Sequence, residues 1–247
     1  MSHPLLAALR DGSAATRREA CAAAAEDPSA VLLVDALCQA LADADAAVAR
    51  AAGTALQRIA REHGDAQPSV LSGLRDALRG ETARQRLEAA WTWARIEPPP
   101  IALLPAVAGA LDDAEGDARW RAARLLVELG RLHGEVTPVV FGLAGSEHPP
   151  RVRRIALTAM RELAPGDAAV LRAHLAASGD TDAGLRRIAL AGLAGLGART
   201  PEVWAALGRA LEDEGDPAAR RVAARAVRTL GEAPDPLVAA AEAAGAA

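Results

Sequence analysis

The sequence predicts an all-α fold made of repeated helix pairs, and three observations carry that prediction. The first is composition: of 247 residues, 65 are Ala and 32 are Leu, whereas Val, Ile, Phe and Trp together supply 25 and Tyr is absent. Good helix formers are abundant, and the residues that suit a pleated sheet are scarce. The second is self-similarity. The phrase Arg151-Val152-Arg153-Arg154-Ile155-Ala156-Leu157 returns as Gly184-Leu185-Arg186-Arg187-Ile188-Ala189-Leu190 and as Ala218-Ala219-Arg220-Arg221-Val222-Ala223-Ala224. The third is punctuation. Gly64 to Pro68, Pro98-Pro99-Pro100, Gly134 to Pro138, Pro165-Gly166, Thr200-Pro201 and Pro234 to Pro236 each stop one helix and start another.

Anchoring on the small residue of the phrase gives Ala20, Ala52, Ala89, Ala122, Ala156, Ala189 and Ala223, at steps of 32, 37, 33, 34, 33 and 34 residues. About seven helix pairs follow, at 4–27, 30–63, 67–97, 100–134, 136–164, 167–198 and 201–231, with a C-terminal cap at 235–247, all in a single domain. Four residues after the anchors stand Ala24, Leu56, Trp93, Leu126, Met160, Leu193 and Val227. Three further on, most units carry another apolar residue such as Ile59, Leu129 or Leu230. That spacing marks the buried face of each second helix. Apolar runs such as Leu37 to Leu41, Leu74 to Leu78 and Leu207 to Leu211 mark the first helices. One such pair cannot bury its apolar face alone, so neighbouring pairs stack into a continuous core.

Two polar columns complete the pattern. Nine residues before the anchors stand Asp11, Asp43, Gly80, Asp113, Glu147, Asp180 and Glu214, and three before stand Arg17, Ala49, Arg86, Arg119, Arg153, Arg186 and Arg220. With this acid, the Arg six residues on and the helix-pair period, residues 4 to 231 resemble HEAT repeats, particularly the short bacterial kind found in bilin lyases. The resemblance implies a right-handed α-α superhelix, a HEAT/armadillo-type solenoid. It also implies a structural ladder of acids and arginines between successive repeats, to which Asp11/Arg17, Asp113/Arg119, Glu147/Arg153, Asp180/Arg186 and Glu214/Arg220 correspond. Ala49 and Gly80 interrupt that ladder, so the second and third repeats are expected to pack less regularly.

In a stack of the HEAT type the second helices line the concave side, which places the candidate binding residues two before and two, five and six after each anchor. The columns two away hold Arg18, Arg50, Trp120, Arg154, Arg187 and Arg221, then Trp91, Arg124 and Arg225, and the later positions add Arg58, Arg95, Arg161 and Arg228. These columns contain 11 Arg against 3 Glu in a chain of formal charge -4. A basic groove is therefore expected, centred on Trp91 and Trp120, with Arg50, Arg124, Arg154, Arg161, Arg187, Arg221 and Arg225 as its partner-binding arginines. Aromatic plates among arginines suit a negatively charged, partly apolar ligand. Trp93 falls at a core position, and Trp204 lies in a first helix.

No catalytic constellation is readable. There is no Gly-x-Ser-x-Gly, and no Lys for a phosphate-binding loop. His63 and His133 are two repeats apart, too far to share an ion, and the His-Glu dipeptides of the HEAT-repeat enzyme deoxyhypusine hydroxylase are missing; no cofactor and no metal site is expected. Cys21 and Cys38 read as two reduced, packed thiols. Every one of the 28 cations is Arg, and Lys and Asn are absent, a bias natural to a high-GC bacterial genome. No apolar run reaches the roughly 18 residues of a membrane helix. The opening Met1-Ser2-His3-Pro4-Leu5 has no basic segment leading into an apolar one, so the expected location is cytoplasmic.

The expected function is a monomeric, non-catalytic protein-protein interaction scaffold or adaptor that holds an acidic partner segment. The alternative is DNA binding. Alkylpurine DNA glycosylases of HEAT-like fold have about this length, a basic groove, and Trp residues with an Asp at the damaged nucleotide. Here Arg95 and Arg124, not acids, stand four residues after Trp91 and Trp120.

Overall fold

The computed structural model describes residues 3–212 and 215–246, and among them helix follows helix with no strand. The first pairs are α1 (Pro4–Ala8) with α2 (Ala14–Ala24), α3 (Val34–Ala40) with α4 (Ala46–Glu62), α5 (Gln67–Ala77) with α6 (Ala83–Trp93), and α7 (Leu104–Gly109) with α8 (Gly116–Leu132). Next come α9 (Val136–Gly142) with α10 (Pro150–Leu163), α11 (Ala168–Ala177) with α12 (Ala183–Leu196), and α13 (Pro201–Glu212) with α14 (Pro217–Leu230), and last α15 (Asp235–Ala246). The chain divides into two compact units, residues 1–129 and 130–247.

The start of most second helices is set by a polar residue seven positions before the anchor. Ser13, Asp45, Thr82, Asp182 and Asp216 each accept a backbone N–H of the first turn, for example Leu185 N at 2.6 Å on Asp182. Such caps satisfy donors that the helix leaves orphaned. The acid two residues earlier braces the cap in turn. Asp11, Asp43, Asp113 and Asp180 accept the backbone N–H of Ser13, Asp45, Glu115 and Asp182 at 2.7, 2.8, 2.8 and 2.9 Å. At the other end of α12, Gly197 closes the helix at φ +69, a left-handed conformation that a residue with a Cβ rarely adopts.

The small anchors are needed for close packing. All seven Ala anchors are buried, as are the residues four positions later. In unit one the second helices α2, α4 and α6 pack in sequence, and so do the first helices α3 and α5; in unit two α10, α12 and α14 form one layer, while α11 and α13 pack in the other. Leucines fill the space between the layers, among them Leu37, Leu56, Leu74 and Leu87 in unit one and Leu190, Leu193 and Leu207 in unit two. Each fully buried Leu contributes about 1.5–3 kcal/mol relative to exposure. The last helix, α15, lays Leu237, Ala240 and Ala244 against the unit-two core. Cys21 and Cys38 are buried free thiols, and burial pushes them up to about 11 and about 12. No helix of the described residues is long and apolar enough to cross a membrane.

Candidate functional site

The Trp91 and Trp120 columns meet on the solvent-facing side of unit one's second helices. Trp91 on α6 and Trp120 on α8 have ring centroids 6.1 Å apart with planes tilted by 48°, within the range of favourable aromatic pairs. Arginines cover both rings: Arg95 lies 4.6 Å from the Trp91 centroid and Arg124 lies 5.2 Å from that of Trp120. Trp91 is half-buried, while Trp120 keeps 54% of its surface exposed.

Beneath the pair lies an element that the charge columns miss. Arg121 donates from Nη1 and Nη2 to the two carboxylate oxygens of Glu88, both at 2.8 Å, with side chains only 7% and 2% exposed. Its guanidinium also approaches the Trp91 ring at 5.8 Å, and its Nε lies 3.2 Å from Asp117. Burial pulls the Arg121 pKa down, but hydrogen bonds and charge from Glu88, then Asp117, more than offset this. Glu88 and Arg121 each stand one residue before an anchor. The readable signal was thus opposite charge at one column in consecutive repeats, 33 residues apart.

The same face is less basic in unit one than the column count implies. Arg50 lies 3.7 Å from Asp117, Arg95 2.6 Å from Glu128, and Arg58 2.9 and 2.8 Å from Glu26 and Glu62. Asp117 and Glu62 project onto this face from positions outside the counted columns. Asp117 also supplies an acid three residues before Trp120, whereas the position four residues after it holds Arg124.

No protein-family model matches the chain, and no curated protein matches it. Among solved structures it is similar to an engineered protein, with a TM-score of 0.43 and 21% identity over 98% of this chain and 71% of that one. It is also similar to the complex of CpcE and CpcF of phycocyanin lyase from Nostoc sp. PCC7120, with a TM-score of 0.40 and 20% identity over 100% of this chain and 94% of that one. Kap121p bound to Ste12p matches with a TM-score of 0.61 and 15% identity, over 94% of this chain but 27% of that chain. The fold is a HEAT-type helical repeat.

In HEAT-repeat terms, the ladder is a contact to the next turn rather than a pair within one repeat. Arg17 bonds the backbone oxygen of Asp11 at 2.8 Å and grips the carboxylate of Asp43, in the next repeat, at 2.6 and 2.8 Å. Arg153 reaches Asp180 at 2.9 Å in the same way. Arg186 holds the backbone of Asp180 at 2.9 Å but takes its carboxylate from the cap residue Asp216 at 2.8 Å. Glu214, the acid expected in that column, lies outside the described residues. Arg119 bonds the backbone oxygens of Asp113 and Ala114 at 2.6 and 2.8 Å, and Arg220 is half-buried beside Pro217. Where Ala49 and Gly80 remove both members of a rung, Arg84 substitutes, reaching the backbone of Ala44 at 3.1 Å and the carboxylate of Glu115 at 2.5 Å.

The unit-two arginines fall into two groups. Arg154 and Arg161 on α10 lie across glycines of α12, so that a Cβ at Gly184 or Gly195 would meet their guanidinium atoms at 2.6 or 2.9 Å. Arg154 also lies 4.0 Å from Asp182. Both are half-buried packing groups. Arg187 on α12 and Arg221 and Arg225 on α14 are exposed, and among the described residues no carboxylate lies within 4 Å of them. Trp93 is 5% exposed and donates its Nε1–H to Glu97 at 3.0 Å, and Trp204 packs at the edge of the unit-two core.

Proposed function

We propose that this protein is a monomeric, cytoplasmic, non-catalytic scaffold whose second-helix face holds an acidic segment of a partner protein. The observation that carries the reading is Trp120, 54% exposed yet fixed against Trp91 and under Arg124. A large apolar ring held rigidly at the surface beside an arginine loses little entropy on binding, and Trp and Arg dominate the energetics of interfaces. Arg124, lying over the Trp120 ring in unit one, supplies the cation for an acidic partner. Kap121p, alike in fold, is seen bound to Ste12p, and a protein partner is proposed here by analogy of fold.

DNA binding is the second reading, favoured by Asp117, which lies 3.7 Å from Arg50 and 3.2 Å from Arg121, the arginine packed near the Trp91 ring. It ranks lower because the two rings already touch each other, leaving no slot between them for an extruded base.

Anisotropy titrations with a labelled Glu-rich peptide and with labelled intact and abasic duplex DNA, at about 50 and 200 mM salt, decide between them. Saturable peptide binding that weakens about ten-fold or more in Trp120→Ala is expected. Equal peptide binding by wild type and Trp120→Ala would overturn the scaffold reading. Tight DNA binding with a steep salt slope and a preference for abasic sites would put the second reading first.

A further inference from the structure

Arg86 occupies the ladder column and makes the backbone half of a rung, from Nη1 to the carbonyl oxygens of Gly80 at 2.7 Å and Glu81 at 2.8 Å. The carboxylate half is missing. Asp113 is the acid in register, yet it does not come within 4 Å of the Arg86 guanidinium, and neither does any other carboxylate among the described residues. The neighbouring Glu115 is held by Arg84. In the intact rung, Arg17 presents Nε and Nη2 as a fork to both oxygens of Asp43, a geometry that suits any carboxylate.

A depression of about 390 Å³ opens between α5 and the segment 100–106. Its accessible apolar wall is Pro100, Ala102 and Pro105, set over the buried Trp93, Leu103 and Ala106. Its rim carries Arg75, Arg79 and Arg86. Arg79 is paired with Asp76 at 2.7 Å, but Arg75 stacks 5.5 Å from the Trp93 centroid with no carboxylate among the described residues within 4 Å. The Trp93 N–H is already donated to Glu97, so the indole offers only apolar surface. An apolar wall under two uncompensated guanidinium groups is a site for an apolar anion.

We propose that this depression binds a small apolar carboxylate, whose carboxylate group completes the Arg86 rung and whose apolar part lies along Pro100, Ala102 and Pro105. The volume is near the low end for ligand pockets, which fits a chain of about eight carbons or a single apolar C-terminal residue. This site uses none of the residues assigned to partner binding on the Trp120 face.

Isothermal titration of the full chain tests it with octanoate, octanol, and an acetylated peptide ending in Leu, prepared as the free carboxylate and as the amide. Binding of octanoate or of the free-carboxylate peptide is expected, with octanol and the amide weaker by about ten-fold or more; which carboxylate binds identifies the source. Arg86→Gln is expected to abolish the preference for the carboxylate. Because that change also touches the turn, Ala102→Phe serves as the second variant: Ala102 is an exposed residue on the pocket lining, and a ring there closes the mouth without entering the core. An unchanged melting midpoint with lost binding in Ala102→Phe supports the site, as does undiminished binding in Trp120→Ala. The site is overturned if octanol binds as tightly as octanoate, if Ala102→Phe binds like wild type, or if no carboxylate probe binds at concentrations on the order of 10 mM.

Discussion

Glu88 and Arg121 show how one residue's worth depends on its counterpart. Their two hydrogen bonds at 2.8 Å are shielded from water, so the attraction is strong, but both charges were stripped of solvent to make it. A buried pair of this kind contributes little net stability, whereas breaking it strands a charge. Glu88→Ala is therefore expected to cost about 3–5 kcal/mol in urea unfolding, while the double replacement Glu88→Leu with Arg121→Met costs far less. A single variant no worse than the double would show that the pair is not desolvated as described. The double variant also removes the support under Trp91, so a stable protein with weakened peptide binding is the expected signature of a positioning role for the pair. The pair is not legible from charge columns, because a charge beside an anchor reads as solvent-exposed unless the next repeat answers it.

At the scale of the element, the turn and second helix form one hydrogen-bonded unit: an acid braces the cap, the cap holds the helix, and the arginine returns to the turn and grips the next one. Arg153 and Arg154 are adjacent but belong to different surfaces. Arg153 reaches Asp180 at 2.9 Å and the Ala144 carbonyl at 3.3 Å with only 15% of its side chain exposed. Arg154 stands 4.0 Å from Asp182 with 39% exposed. Losing the first removes charge-assisted hydrogen bonds and strands Asp180, an effect of about 1–2 kcal/mol. Losing the second removes a surface contact worth about 0.5 kcal/mol or less. Arg153→Ala should thus lower the melting midpoint by several degrees more than Arg154→Ala, and equal shifts in a thermal scan would refute the division of roles. The ladder was legible in sequence because its members recur with the repeat. Its direction was not, since spacing alone does not tell whether Arg17 answers Asp11 or Asp43, and both are in reach of a six-residue turn and a neighbouring one.

For the whole molecule, helical class and anchor spacing were legible because burial repeats with the chain's period, and burial is what the apolar pattern records. The candidate surfaces were less so, because net charge on a face depends on side chains such as Asp117 that project into it from other columns, and because the open rung at Arg86 is an absence that no motif marks. The same shielding that hides charges from the sequence makes stability depend on pH in a definite order. His174 is buried and donates its Nδ1–H to Val170 O, 2.8 Å away, while burial lowers its pKa from the ordinary 6.5 and nearby Arg161 lowers it further against that hydrogen bond. As pH falls below 6.5, the unfolded chain takes up a proton that the folded chain refuses, so stability declines until the folded pKa is passed. The ladder acids act later. Asp43 is lowered from 3.8 chiefly by the hydrogen bond from Arg17, and Asp180 and Asp216 chiefly by the backbone N–H groups of Asp182 and Ala219, then by their arginines. Their contribution is present above the unfolded value of 3.8 and is lost as pH falls through the lower folded values. Melting midpoints measured from pH 8 to pH 3 should therefore fall in two stages, the first beginning near 6.5 and the second near 4. His174→Leu should erase the first stage and leave the second, whatever its midpoint at neutral pH. A wild-type midpoint that stays level between pH 7 and pH 4.5 would mean that His174 is not held neutral by its surroundings.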